Sequence, residues 1–232
     1  MQIKQMLIPE SNKFTRPGVK MEPQYITLHE TANTTKGATA LAHAKLQQSG
    51  NSRQASWHYS VDSLYIIQSV PDNEVAFHAG DGAGDGNRKS IGIEICVNED
   101  GDFDRAKEKA IQLIRHLMDK HKIPLKNVVP HKHWSGKNCP KEILKEGWDK
   151  FISDIASEGT REIVEPLEYP GKYIRFGSRG GSVKMVQEQL GGLVVDGIFG
   201  KLTLARVKEF QKANKLDVDG IVGPVTWGAL FN

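Results

Sequence analysis

The chain has 232 residues, which is enough for one large domain or for an ordinary domain and a small one. Apolar residues make up 38% and charged residues 25%, a composition that is typical of a folded soluble chain and excludes wholesale disorder. The formal net charge of +3 is too small to predict a nucleic-acid-binding protein, because such proteins concentrate positive charge on one surface.

The longest apolar runs are short, among them Leu64–Ile67 and Leu193–Val195, so we expect no membrane insertion. Residues 1–10 lack the sustained apolar stretch of a secretory signal, and we therefore expect the chain to be cytoplasmic as made. Two cysteines, Cys96 and Cys139, are too few for a disulfide framework. Free thiols or a metal ligand fit a chain without an export signal better than one bridge does.

Strand and helix patterns alternate through residues 1–156, which predicts an α/β domain. The pattern predicts strands at residues 25–29, 59–61, 65–68 and 91–97. It predicts helices at residues 38–48 and 104–122 and a last helix that starts at Pro140.

Two of these strands have faces of different character. In residues 25–29, Thr27 and His29 point away from Ile26 and Leu28. In residues 91–97 the isoleucines lie on one face and Glu94 on the other. A carboxylate within an otherwise apolar strand is costly unless it is paired or used, or unless its face is open to solvent.

The composition changes after the α/β pattern. Residues 157–172 contain prolines and glycines without apolar periodicity, which predicts a linker. An internal near-repeat follows, Val195–Gly200 and then Val218–Gly223, each with an Asp-Gly turn that precedes a helical pattern. Residues 173–232 are therefore predicted to form a small, separate, all-α domain of three helices.

The residues that suggest chemistry are His29, His131 and Cys139. Two imidazoles and one thiolate form a good zinc ligand set that leaves a fourth position open. The spacing from His131 to Cys139 lets one loop wrap around an ion, whereas His29 must come from elsewhere in the fold. Taken singly, each histidine is more commonly a satisfied structural residue, and a lone cysteine is more commonly a buried thiol.

Two further residues suggest how such a site would work. Glu94 could accept a proton from water at the metal, and Lys137, two residues before Cys139, could donate to an oxyanion. The simpler interpretations are a solvent-exposed strand face for Glu94 and a solvated loop for Lys137.

Five blocks in the right order resemble the zinc-dependent N-acetylmuramoyl-L-alanine amidases of phage endolysins and bacterial autolysins, which are related to peptidoglycan recognition proteins. The blocks are Tyr25–Thr31, Ser56–Asp62, Phe77–Gly80, Ser90–Glu94 and Pro130–Pro140. Residues 173–232 resemble a small peptidoglycan-binding domain, which is marked by the turns at Asp196 and Asp219.

The resemblance implies a mixed central β-sheet flanked by helices. It implies one Zn²⁺ per chain, bound by His29, His131 and Cys139, and hydrolysis of the amide between N-acetylmuramic acid and L-alanine of the stem peptide. It also assigns Glu94 to water activation and Lys137 to the transition state.

Substrate contacts are expected from other residues within these blocks. By the resemblance His58 and His78 line the substrate groove, and Trp57 could stack on sugar or peptide or else pack in the core. Where many relatives have Asp, this chain has His133, which could be a spare ligand or could support one.

Three functions are compatible with these residues. The favoured one is a modular wall amidase that acts on peptidoglycan, as a monomer, without nucleic acid. The alternative is a non-catalytic peptidoglycan recognition protein of the same fold, and such proteins tend to lack the cysteine ligand. A third makes zinc structural, with His133 as a fourth ligand. A chain without a signal fits a phage endolysin released at lysis or an unconventionally exported autolysin, and the sequence does not separate them.

Overall fold

The computed structural model describes residues 2–157 and 169–231. The chain divides into two compact units, residues 1–160 and residues 161–232. The predicted linker, residues 157–172, lies mostly outside the described residues. No helix among the described residues is both long and apolar enough to cross a membrane.

A six-stranded sheet forms the centre of the first unit. Its strands are β1 (Lys4–Gln5), β2 (Tyr25–Glu30), β3 (Tyr59–Val61), β4 (Ile66–Gln68), β5 (Ser90–Ile95) and β6 (Val128–Pro130). Their spatial order is β1-β4-β3-β5-β2-β6. The β3–β4 pair is antiparallel and the other pairs are parallel, so the predicted mixed sheet is confirmed.

The register of the central strands aligns the polar side chains found in the sequence. Glu94 of β5 pairs with His29 of β2 on one side and with Ser60 of β3 on the other. Paired residues of parallel strands point to the same face, so these three side chains form one row. The isoleucines of β5, together with Ile26 and Leu28, lie on the opposite face in the main hydrophobic core.

Helices cover the sheet. They are α1 (Ala40–Ser49), α2 (Asp85–Arg88), α3 (Phe103–His121), a 3₁₀ turn (Leu125–Asn127), α4 (Lys132–Ser135), α5 (Lys141–Glu146) and α6 (Trp148–Ala156). The Asp102 side chain caps α3 by accepting a hydrogen bond from the Arg105 amide. One stripe of α3 is fully buried in the core and includes Ala110, Leu113 and Leu117.

The single helix predicted after Pro140 is wrong: two helices, α5 and α6, stand there. Gly147 lies between them with φ of 114°, a conformation that only glycine adopts at low cost and that no α-helix contains. Burial continues across the break, since Ile143 of α5 and both Phe151 and Ile155 of α6 are buried.

The second unit contains α7 (Gly181–Leu190), α8 (Lys201–Ala213) and α9 (Pro224–Phe231), as the sequence predicts. Their buried faces meet in a core that includes Val186, Phe199, Val207 and Trp227. Both Asp-Gly turns place their glycine at positive φ, 72° at Gly197 and 75° at Gly220.

The repeat is also visible in the hydrogen bonds, as two glutamine clamps. The Gln187 side chain donates to the Asp196 carboxylate, the Ile198 carbonyl and the Thr203 hydroxyl, and accepts from the Gly197 amide. Gln211 makes the same four bonds, with the equivalent partners Asp219, Gly220, Ile221 and Thr226. Each turn is therefore anchored to the preceding helix through one buried amide.

Candidate metal centre

Three side chains from separate segments meet at one end of the sheet. His29 lies near the end of β2, His131 directly follows β6, and Cys139 precedes α5. Their ligand atoms all lie within 4.8 Å of one another, and all three residues are buried. Since β2 and β6 are neighbouring parallel strands, their ends bring the two histidines together, with the Nδ1 atoms 3.0 Å apart.

This group fits a zinc ion. Nε2 of His131 lies 3.0 Å from the Ala79 carbonyl oxygen, which can only accept, so Nε2 holds the proton and Nδ1 presents its lone pair to His29. Ligands on one tetrahedral zinc ion lie about 3.3–3.7 Å from each other, close to the spacing found here. Two imidazole nitrogens and a thiol are also the ligand types that zinc prefers.

A fourth protein ligand is missing from this group among the described residues. His133 is exposed and packs edge-on against the Trp134 ring, with centroids 4.6 Å apart. The hypothesis of a closed structural site with His133 as the fourth ligand therefore finds no support in the geometry.

Glu30 holds the segment that contains Cys139. Its carboxylate accepts hydrogen bonds from the amides of Glu142 and Ile143 at the start of α5, at 2.9–3.0 Å. The carbonyl of Cys139 in turn accepts from the Lys132 amide. Sequence reasoning missed Glu30; the available signal was an acidic residue next to a predicted ligand and a helix start without a capping side chain.

Burial sets the protonation of the three candidate ligands. It lowers the pKa of His29 well below its usual value, helped by His78 and His131, and it lowers the pKa of His131. Neutral imidazole is the form that binds a metal ion. Burial raises the pKa of the Cys139 thiol to about 11, so metal binding there would release a proton.

Glu94 has one carboxylate oxygen without a hydrogen-bond partner in the described part of the chain. Its Oε2 atom is buried and has no hydrogen-bond partner among the described residues, the one carboxylate oxygen of which this is true. Burial raises the pKa of Glu94 to about 8, against the influence of Lys137. A buried acceptor without a donor is unfavourable for folding alone, which is the property expected of a group that works on a ligand.

Lys137 is exposed on the loop before Cys139. Its positive charge lowers the pKa values of His29, His131 and Glu94, so the ammonium group is electrostatically coupled to the centre. The structure thus brings together all five residues predicted for metal binding and catalysis.

The residues predicted to line the groove, His58, His78 and Trp57, are buried or half-buried. His58 is fully buried: Nδ1 accepts from the Gly92 amide and Nε2 donates to the Glu74 carbonyl, so neither ring nitrogen is available to a substrate. Trp57 is half-buried and donates from its indole to the Ser60 hydroxyl. A substrate contact by Trp57 stays a prediction.

His78 lies behind the metal centre rather than on an open surface. Its Nδ1 atom is 3.0 Å from Nε2 of His29, and its Nε2 atom is 3.2 Å from the Ser90 carbonyl oxygen. Burial lowers the pKa of His78 to about 3, so the ring is neutral. Its ring nitrogens are therefore directed at a candidate ligand and a strand, and a substrate contact by His78 stays a prediction.

A cavity of about 520 Å³ adjoins the centre and has Phe77, Gly80 and Arg88 in its walls. Gly80 connects the two, because a Cβ built on it would lie 3.7 Å from Nε2 of His131. The glycine-rich segment that follows Gly80 is folded onto Asp81, whose carboxylate accepts from the amides of Gly86 and Asn87. Space for a ligand is therefore present next to the candidate ligands.

Comparison with known families identifies both units. Residues 19–142 match the family described as N-acetylmuramoyl-L-alanine amidase, and residues 179–230 match a peptidoglycan binding domain. The first match contains the whole candidate metal centre, and the second contains both glutamine clamps.

Individual relatives agree with these matches. The chain is 45% identical to the N-acetylmuramoyl-L-alanine amidase CwlH of Bacillus subtilis (strain 168), over 92% of this chain and 91% of CwlH. The solved catalytic domain of XlyA is 52% identical, with a TM-score of 0.64, and covers 67% of this chain and 99% of that domain. PlyL is 37% identical with a TM-score of 0.62, over 67% of this chain and 97% of the PlyL structure. The chain therefore belongs to the N-acetylmuramoyl-L-alanine amidase family.

Proposed function

We propose that this amidase hydrolyses the amide bond between N-acetylmuramic acid and L-alanine of the stem peptide, with zinc held by His29, His131 and Cys139. The observation that supports it most directly is that three buried ligand atoms lie within 4.8 Å of one another, and that Glu94, whose Oε2 atom has no partner among the described residues, is paired with His29 in the sheet. A cell-wall amide is unactivated, and its hydrolysis needs both a strong nucleophile and charge stabilisation.

Zinc, when bound, polarises the amide carbonyl and makes water acidic enough to attack near neutral pH. Glu94 accepts the proton of the attacking water through its free Oε2 atom and then gives it to the departing amine of alanine. Overall one water is added: its oxygen joins the lactyl carbonyl carbon, and its two hydrogens end on the products.

Lys137 acts on the other side of the reacting carbon. As the amide carbon becomes tetrahedral, negative charge develops on its oxygen, and the ammonium group of Lys137 donates a hydrogen bond to it. A loop position suits this role, because a long exposed side chain reaches a substrate that lies over the centre.

The second unit holds the enzyme on its polymer. Peptidoglycan is the partner of the whole chain, and a second binding unit raises the effective concentration of the catalytic unit at the wall. We expect a monomer, to be checked by light scattering on a sizing column.

The decisive experiment is a digest of purified peptidoglycan, with and without a zinc chelator, followed by mass spectrometry. We expect free stem peptides with a new alanine amino terminus, lost on chelation and restored by added Zn²⁺. Cleavage at another bond, or full activity in the chelator, would contradict the proposal. Tight wall binding without any cleavage would instead favour a recognition protein.

A further inference from the structure

Two buried histidines lie in contact directly behind the metal centre. Nε2 of His29, the ring nitrogen that faces away from His131, lies 3.0 Å from Nδ1 of His78. The two rings meet edge-on, with centroids 5.1 Å apart and planes at 90°. A contact of this length between two nitrogens is a hydrogen bond only if one of them carries the proton.

The backbone decides which nitrogen carries it. Nε2 of His78 lies 3.2 Å from the carbonyl oxygen of Ser90, which can only accept a hydrogen bond. The single proton of a neutral His78 ring is therefore on Nε2, and its Nδ1 atom is an acceptor. That acceptor selects the form of His29 with its proton on Nε2, so Nδ1 of His29 presents a lone pair towards His131 and the metal position.

Gly92 of β5, the strand next to β2, leaves space for the His78 ring. A Cβ built on Gly92 of β5 would lie 2.6 Å from Cγ of His78, closer than real Cβ contacts come. Glycine at this position thus allows the His78 ring to lie flat against the sheet between Ser90 and His29. The ring is buried as well, so it has little freedom to turn away.

We infer that His78 is a positioning residue for the metal centre. It donates to the Ser90 carbonyl and accepts from His29, and this fixes His29 in the one tautomer that can bind zinc through Nδ1. This inference rests on the proposed zinc site but not on the proposed reaction. Groups that orient a ligand histidine typically change metal affinity 10–100-fold when removed.

The first test leaves the protein unchanged. In the zinc-loaded full chain labelled with ¹⁵N-histidine, we expect a through-hydrogen-bond coupling between Nε2 of His29 and Nδ1 of His78, with the proton on His29. A proton on Nδ1 of His78, or the absence of coupling between the assigned nitrogens, would overturn the inference. This readout does not depend on whether the enzyme cleaves peptidoglycan.

The second test measures zinc affinity by competition with a coloured chelator. His78→Leu removes the acceptor and is expected to weaken binding about 10–100-fold, whereas His78→Asn, whose amide oxygen can stand near the Nδ1 position, is expected to restore most of the loss. His58→Asn is the matched control, because His58 is a buried neighbour of His78 that contacts no candidate ligand.

The outcomes separate positioning from packing. Affinity of His78→Leu within twofold of the parent would overturn the inference, as would equal losses in His78→Leu and His78→Asn. A loss in His58→Asn as large as that in His78→Leu would also overturn it, since general loosening of the core would then account for both. Zinc affinity that follows the expected order, combined with an inactive parent enzyme, would contradict the proposed function alone.

Discussion

The two units treat buried polar side chains in opposite ways. In the second unit, Gln187 and Gln211 are almost fully buried, and each makes four hydrogen bonds. In the first unit, Glu94 has a buried oxygen with no partner, and two histidine nitrogens face each other across 3.0 Å. The glutamines have all their hydrogen-bond partners within the protein, whereas Glu94 and the proposed ligand histidines would find theirs only in a metal ion and a substrate.

Residue usage follows the same division. All eight histidines and both cysteines precede residue 140, and residues 161–232 contain neither type. The second unit is therefore built without imidazole or thiol groups. The difference teaches that buried polar groups without hydrogen-bond partners mark the region of a chain suited to chemistry. Buried polar groups with all their partners mark a region whose role is structural.

The largest expected effect comes from Glu94→Gln, which keeps the shape but removes the base. We expect activity on peptidoglycan to fall about 10²–10⁴-fold while one zinc per chain is retained, measured by turnover and elemental analysis. Because burial opposes ionisation of Glu94, the zinc-free variant should also unfold at higher denaturant concentration than the parent at pH 8, with less difference at pH 5. Parent-like turnover would remove Glu94 from the mechanism.

In the second unit, Gln187→Leu should destabilise about as much as Gln211→Leu. Each removes an amide that satisfies four groups, and we expect a loss on the order of 3 kcal/mol in the free energy of unfolding of that unit. Hydrogen exchange at the Gly197 and Gly220 amides reports on the clamps. Lys212→Leu, exposed beside Gln211, is the control and should change little. Unequal effects would mean that the two halves of the repeat are not equivalent.

The two units should also differ in how their free energies of unfolding change at acid pH. Burial lowers the pKa of His58 to about 4, although Asp72 and Glu74 nearby raise it and His121 lowers it further. The pKa of His58 in the folded protein lies below the ordinary value. Its contribution to the free energy of unfolding of the first unit is therefore fully present above about pH 6.5, and about 3 kcal/mol is lost as the pH falls towards 4.

Urea unfolding of the zinc-free chain between pH 7 and 4, followed by domain-specific NMR signals, tests this difference. The second unit has no histidine, and the pKa values of Asp196 and Asp219 are lowered, so it should stay level until well below pH 5. His58→Asn should make the acid limb of the first unit shallower but not abolish it, because His29, His78 and His131 keep their lowered pKa values. Parallel acid limbs in both units would contradict the assignment to buried histidines.

The smallest expected effect is on targeting. Removing residues 173–232 should lower activity on whole walls roughly tenfold and leave activity on soluble muropeptides within about twofold. Equal losses on both substrates would mean that the second unit supports the catalytic unit itself rather than holding it at the polymer.

Much of the fold and of the candidate site could be predicted from the sequence. The alternation in β2 and β5 predicted which face holds His29 and Glu94, because the side-chain period of a strand is fixed by its backbone. The repeated Asp-Gly turns predicted the second unit for the same kind of reason: only glycine adopts the required φ cheaply.

Other features depend on contacts between distant segments, which no local pattern contains. His58 and His78 both lie within the sequence blocks, yet one bonds to Gly92 and the other to His29, a difference set by packing across the sheet. The break at Gly147 was missed because the apolar spacing continues across it. Glu30 was missed because its partners lie more than 100 residues away.

The hydrogen bonds of Glu30 bear on what would happen when the proposed zinc ion leaves its site. They join the strand that contains His29 to the helix that follows Cys139 through the protein alone, with no ion required. The frame around the centre should therefore persist when zinc is withdrawn, and enzyme stripped by a chelator should recover activity on adding Zn²⁺ without a refolding delay. Zinc supply would then act as a reversible control on wall hydrolysis, independent of protein synthesis and folding.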